Sequence, residues 1–177
     1  MYAPQRKLGL RGGVKAAHKE ALVSEENKAL VRNFFEEVWN NRNLDYLDEI
    51  YSPDFVLHAL WQNTSAGGAI EAKGVEPAKK VIGGWFEGFP DISVEVEDQV
   101  AEGDLVGSRH SSTGTHTNAF QGMPATGKQA TITGMTITRI DNGKIVEAWT
   151  SWDALGMFEQ LGMAPGGPPS GGGPPSE

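Results

Sequence analysis

GKIVEAWTSWDALGMFEQLG, residues Gly143–Gly162, changes its period halfway along. From Lys144 to Trp152 it alternates as a strand does, with Val146, Ala148, Thr150 and Trp152 on one side and Ile145, Glu147, Trp149 and Ser151 on the other. From Asp153 it takes a helical spacing. Asp153 is placed to cap the N-terminus, Leu155, Phe158 and Leu161 form the apolar stripe, and Gly162 ends it. Just upstream, Asp141-Asn142-Gly143 is a tight hairpin turn, because Asn-Gly accepts the positive φ of a type I′ turn. A hairpin therefore closes a sheet and a short terminal helix packs back on it.

Working backwards, the period of two persists. Ile92, Val94 and Val96 alternate with Ser93, Glu95 and Glu97, Glu102-Gly103-Asp104 turns the chain, and Leu105–Thr115 is a long polar strand. Asn118–Lys128 is a loop with Gly122, Pro124 and Gly127, and Gln129–Ile140 is a β-branched strand. The N-terminal half is helical. Ser24 is the expected N-cap of a first helix whose apolar residues are Leu30, Val31, Phe34, Phe35, Val38 and Trp39. A short second helix holds Leu44, Leu47, Ile50 and Tyr51, Ser52-Pro53-Asp54 reads as a turn, and a short strand over 55–60 carries His58. Trp61–Gly74 reads as a loop, and Val75–Gly88 as a third helix bearing Trp85 and Phe86. Helices gathered before a meander of strands imply an α+β domain. About three N-terminal helices would sit on the concave face of a strongly curved antiparallel sheet, leaving a cone for a small ligand.

Composition narrows the functions. A chain of 177 residues supports one domain with a sizeable core. It has no cysteine, which excludes disulfides and thiolate metal sites, and the four histidines lack metal-ligand spacing. The net charge of −8 argues against a general nucleic-acid or anionic-membrane surface. No apolar run suits a membrane helix and no secretory signal is visible, so a cytoplasmic protein is expected. Residues 1–23 hold five basic residues against Glu20 alone and read as a mobile basic arm or a partner-binding segment. Residues 165–177 are Gly, Pro and Ser with one acid and read as a disordered tail, which bounds the folded domain at 24–164.

Three stretches resemble the SnoaL-like polyketide cyclases of the NTF2-like superfamily: NKALVRNFFEEVWNNRNLDYLDEIYSPDFVLH (Asn27–His58), GTHTNAFQGMPATGK (Gly114–Lys128) and RIDNGKIVEAWTSWDALGMFEQLG (Arg139–Gly162). The second is similar to the family's G-x-H-x-G-x-F-x-G-x-P-P-T-G loop, with Asn118 at a usual Gly and Ala125 at a usual Pro. The resemblance implies the NTF2-like cone, a homodimer, and ring closure by an intramolecular aldol reaction without metal or cofactor. An Asp is the family's acid/base and a His supports it; ketosteroid isomerases and epoxide hydrolases share the fold. On this alignment the catalytic Asp falls on Thr150, a frequent strand His on Ala148, and the supporting His on Thr136. Hydroxyl and methyl groups thus stand at the usual proton-transfer positions.

Replacement acid/base groups are then His58, His116 and Asp153. Each has a structural alternative: His58 as a hydrogen-bonded structural histidine, His116 as an anchor of the following loop, Asp153 as a helix cap. Trp61, Trp85, Arg109, His110, Thr136, Ala148 and Thr150 are the expected pocket residues. Arg109 can equally pair with Glu95 or Glu97, and His110 can equally be a solvated strand residue. The expected ligand is a small hydrophobic carbonyl compound, turned over by a cofactor-independent cyclase or isomerase. The alternatives are a non-catalytic binder or an epoxide-hydrolase-like enzyme on the same fold.

Overall fold

The computed structural model describes residues 10–59 and 70–163, with side chains described from Glu20 and Glu71 onward in the two segments. Trp61 and the Gly/Pro/Ser tail lie outside these residues. Helix α1 spans Leu10–Asn33 and runs on as a π-helical turn over Phe34–Asn40. Helix α2 spans Tyr46–Ile50, and strand β1 spans Tyr51–Ala59. Strand β2 (Ile70–Lys73) and helix α3 (Val75–Gly88) follow. The meander is β3 (Ser93–Glu102), β4 (Leu105–Thr115), β5 (Gln129–Asp141) and β6 (Lys144–Trp152), closed by α4 (Ala154–Leu161). The strands form one curved sheet in the order β2-β1-β6-β5-β4-β3. All neighbours are antiparallel except β1 and β6, which run parallel. This α+β architecture is the expected one.

Four local expectations are corrected. Ser24 does not start the first helix, which already runs from Leu10. Ala16, Ala17, Lys19, Glu20, Ala21 and Leu22 are good helix formers, so nothing there stops it. Ser52-Pro53-Asp54 lies inside β1 rather than in a turn. The β1–β6 ladder is irregular between Tyr51 and Val56, so Pro53 sits where no ladder hydrogen bond is required of it. The stretch taken as a loop up to Gly74 contains β2, which pairs with Val56–Ala59.

The fourth correction concerns β6. Arg139 pairs with Glu147, but Ile140 pairs with Ile145, so Val146 is the extra residue of a β-bulge. The bulge resets the alternation. Ile145 joins Ala148, Thr150 and Trp152 on the inner face, and Val146 is only half-buried.

The apolar core lies between the sheet's inner face and the helices. Val31, Phe35, Val38, Leu47, Ile50, Phe55, Ala78 and Ile82 pack against Val94, Val106, Ile140, Ile145 and Ala148. A second cluster joins Phe89, Ile92, Phe120 and Ile132 to Met157 and Leu161 of α4. The Asn40 side chain ties the helical layer to β3, donating to Val94 O (3.0 Å) and accepting from Val94 N (2.8 Å). No described helix is long and apolar enough to cross a membrane.

The ends of α4 follow the sequence signals. Asp153 Oδ1 accepts from Gly156 N at 2.8 Å, and Gly162 takes the left-handed conformation (φ 76°). Asp153→Ala should lower stability by about 1 kcal/mol in urea unfolding, the usual cost of a lost N-cap.

Candidate active site

Between the inner face of the sheet and the helices lies an open cavity lined mainly by apolar side chains. Its floor is set by the strand register. Ala59, Thr150, Thr136 and Ser108 are cross-strand neighbours in one row, and Leu57, Ala148, Thr138 and Val106 in the next. A third row brings Trp152, Gly134 and His110 together. The walls are aromatic: Phe34, Phe35 and Trp39 from the π turn and its flank, Tyr51 from β1, and Trp85 from α3. A π-helical turn widens the helix by one residue, which allows Phe34, Phe35 and Trp39 to line one space.

The cavity's polar groups form a chain. His110 is buried at 8 % exposure, and its Nε2 lies 3.1 Å from Thr136 Oγ1, which lies 3.0 Å from Thr150 Oγ1. His110 Nδ1 is enclosed and has no hydrogen-bond partner. Burial pushes the imidazole pKa down to about 4, so the ring is neutral at pH 7. Phe35 packs on it with ring centroids 5.1 Å apart. Among the described residues no carboxylate, ammonium or guanidinium lines the cavity.

Gly134 makes this arrangement possible. A methyl carbon built there would lie 2.5 Å from His110 Cε1 and 3.1 Å from Nε2, so the ring occupies space that only glycine leaves free. A glycine in the middle of a β-branched strand is the sequence signal for such an approach.

The expected pocket residues Thr136, Ala148, Thr150, His110 and Trp85 all line the cavity. The three expected acid/base groups do not. His58 falls between Leu57 and Ala59, which face inward, so it points to the opposite side of the sheet. There its Nε2 lies 2.9 Å from Glu147 Oε1 and its ring stacks on Trp149. His116 is fully buried and stacks on Phe89. Its backbone exchanges hydrogen bonds with Lys128 O and Gly127 N (both 2.9 Å) and its Nδ1 meets Thr126 Oγ1 at 3.3 Å, so it holds the loop. Burial also lowers its pKa. Asp153 caps α4. Arg109 faces outward and is paired with Glu97 and Asp98. The bulge at Glu97 in β3 brings both acids beside it. Tyr51 and Gly134 are cavity residues that the sequence reading had not placed there.

Gly134→Ala should force the imidazole off its bond to Thr136 and cost roughly 1–3 kcal/mol by overpacking. In a His110→Ala background the same change should cost far less. Thermal or urea unfolding of the four proteins decides it, and an equal cost in both backgrounds would remove His110 as the reason for the glycine.

Sequence and structure comparisons agree with this architecture. The SnoaL-like polyketide cyclase family matches residues 29–161. A protein from Jannaschia sp. CCS1, described as a proposed SnoaL-like polyketide cyclase, superposes with a TM-score of 0.70 at 26% identity. The match covers 81% of this chain and 95% of that one. AclR, described as a proposed hydroxylase from Streptomyces galilaeus, gives 0.68 at 27% identity, covering 82% and 91%. IdmH, described as a proposed polyketide cyclase from Streptomyces antibioticus, gives 0.65 at 31% identity, covering 77% and 98%. No curated protein gives a significant match. With most of its length matched by one family and the cone observed in its fold, the chain belongs to the SnoaL-like polyketide cyclases.

Proposed function

We propose that the protein is a cofactor-independent enzyme that moves a proton on an uncharged, hydrophobic carbonyl compound, as a cyclase or isomerase does, with His110 as the base. The observation that carries this reading is a neutral imidazole beside an apolar cavity with one nitrogen held by Thr136 and the other enclosed without a partner. In the tautomer that donates from Nε2 to Thr136 Oγ1, Nδ1 keeps its lone pair. Thr136 then donates to Thr150, so the hydroxyls at the family's usual acid/base positions orient the base instead of acting as one.

The reaction balances without an added group. For the reaction the His110 ring, whose Nδ1 is enclosed in this structure, turns that nitrogen to the cavity; Nδ1 then takes a proton from carbon next to a carbonyl, and the enolate either attacks a second carbonyl of the same molecule or is reprotonated at another carbon. The imidazolium returns the proton to the product. A base whose conjugate acid has a pKa of about 4 is weak, which favours an acidic C–H, such as one flanked by two carbonyls. The absence of charged side chains from the described lining favours a neutral substrate, because a buried carboxylate would have no counter-charge.

The test is exchange of the acidic C–H of an aryl β-diketone in heavy water, followed by NMR. His110→Gln should slow exchange by roughly 10²-fold or more, in the range of a lost general base. The wild-type kcat/KM should be level above about pH 5 and fall as pH drops through the His110 pKa near 4, where the base becomes protonated. Binding of the diketone without exchange above the buffer rate would favour a non-catalytic binder.

We also propose that the protein is a homodimer assembled across the outer face of the sheet. Val100, Met135 and Ile137 are exposed there, beside Trp149. Light scattering should give twice the chain mass, and Ile137→Asp should give the monomer; a monomeric wild type sinks this part.

A further inference from the structure

Tyr51 stands at the junction of α2 and β1, and its position is well defined. Its ring stacks on Phe55 at 3.9 Å between centroids and lies 5.9 Å from Phe34. Its backbone pairs with Ile145 of β6, another cavity residue. The residue is only 5 % exposed, yet it lines the same cavity as His110. Phe34 and Phe35, whose rings meet at 5.1 Å, connect the two, since Phe34 touches Tyr51 and Phe35 touches His110.

The phenol oxygen has no hydrogen-bond partner among the described residues. The fully enclosed side-chain atoms that lack partners there are Gln99 Oε1, His110 Nδ1 and His116 Nε2. The Tyr51 oxygen is not among them, so it is not fully enclosed, and the residue it belongs to lines the cavity. Burial raises its pKa above the ordinary value of 10, so it holds its proton and can only donate or accept as a neutral group. A lone phenol in an apolar wall has lost its water and gained nothing, a cost that a ligand oxygen would repay.

We propose that Tyr51 is the hydrogen-bond donor to the carbonyl oxygen of the bound compound. The inference rests on the reading of the cavity as a carbonyl site and adds the group that stabilises the enolate. A donor aimed at the oxygen on which charge develops acts most strongly where water is excluded. The cavity's aliphatic hydroxyls are weaker candidates. Thr136 and Thr150 are engaged with His110 and each other. A phenol is also more acidic than an alcohol and binds an oxyanion more strongly.

The test uses Tyr51→Phe, which preserves the ring and its stacking; an unchanged melting temperature confirms the fold. Naphthalene and a series of naphthols of increasing acidity stand in for the carbonyl compound and its enolate, with binding read from quenching of the tryptophans. Wild type should bind the naphthols more tightly as their acidity rises. Tyr51→Phe should flatten that trend and lose about tenfold or more on the most acidic member, with naphthalene affinity unchanged. In the exchange assay its kcat should fall with KM little altered. A trend unchanged in Tyr51→Phe overturns the proposal. Failure of wild type to bind naphthalene or any naphthol overturns the reading of the cavity and the role of Tyr51 with it. A Tyr51-dependent trend without diketone exchange upholds the donor and removes the proton-transfer reading alone.

Discussion

Small residues at the middle of a sheet that is otherwise packed by large ones are the constraint on which this molecule depends. Gly134, Ala148, Thr136, Thr150 and Ala59 lie in adjoining cross-strand rows of the inner face. The helices that cover this face carry Phe34, Phe35, Trp39, Ile82 and Trp85. Such side chains meet around the rim but cannot fill the shallow centre. Protein interiors are otherwise close-packed, so the space persists because no side chain at those positions reaches into it. The same smallness admits the His110 ring over Gly134.

The two faces of the sheet have opposite electrostatic characters. The inner face is neutral, with hydroxyls and one imidazole deprived of its charge by burial. The outer face carries the ions. Arg109 pairs with Glu97 and Asp98, and Arg139 with Asp104 and Glu147, while Glu147 also meets His58. These pairs are part-exposed and contribute little stability each. Their consequence for the site is that the cations are held on the far side. The Arg139 guanidinium lies over the Trp149 ring, 5.0 Å from its centre, which orients it along the sheet.

The Gly114–Lys128 loop, one of the three stretches that resemble the family, is held together around His116. His116 pins Gly127 and Lys128 through backbone hydrogen bonds, and Phe120 packs on Phe89 and Trp85 at the cavity's end. Gly88 has no side chain because Phe120 already occupies that place, with a built methyl carbon 2.8 Å from Phe120 Cβ. The loop thereby closes one end of the cone while contributing Gln121 to its lining.

Much of the fold could be read from local chemistry. Period-two runs marked β3, β4 and β5, Asn142-Gly143 marked the last hairpin, and Asp153 and Gly162 marked both ends of α4. Alternation also placed Arg109 and His110 on opposite faces of β4, and the alignment of Thr136, Ala148 and Thr150 identified part of the cavity floor. Bulges and partners were not legible. Val146 reset the phase of β6, and an irregular ladder drew Pro53 into β1, because both depend on which strand lies alongside. His58 went to the outer face for the same reason: its direction is set by the register of Leu57 and Ala59 against β6. The sequence by itself determined the α+β order, the caps of α4 and the family, since each rests on neighbours a few residues apart. Only the tertiary structure decided which histidine loses its charge, which glycine makes room for it and which tyrosine shares its cavity. Burial and cross-strand contact are properties of the assembled sheet, not of any segment.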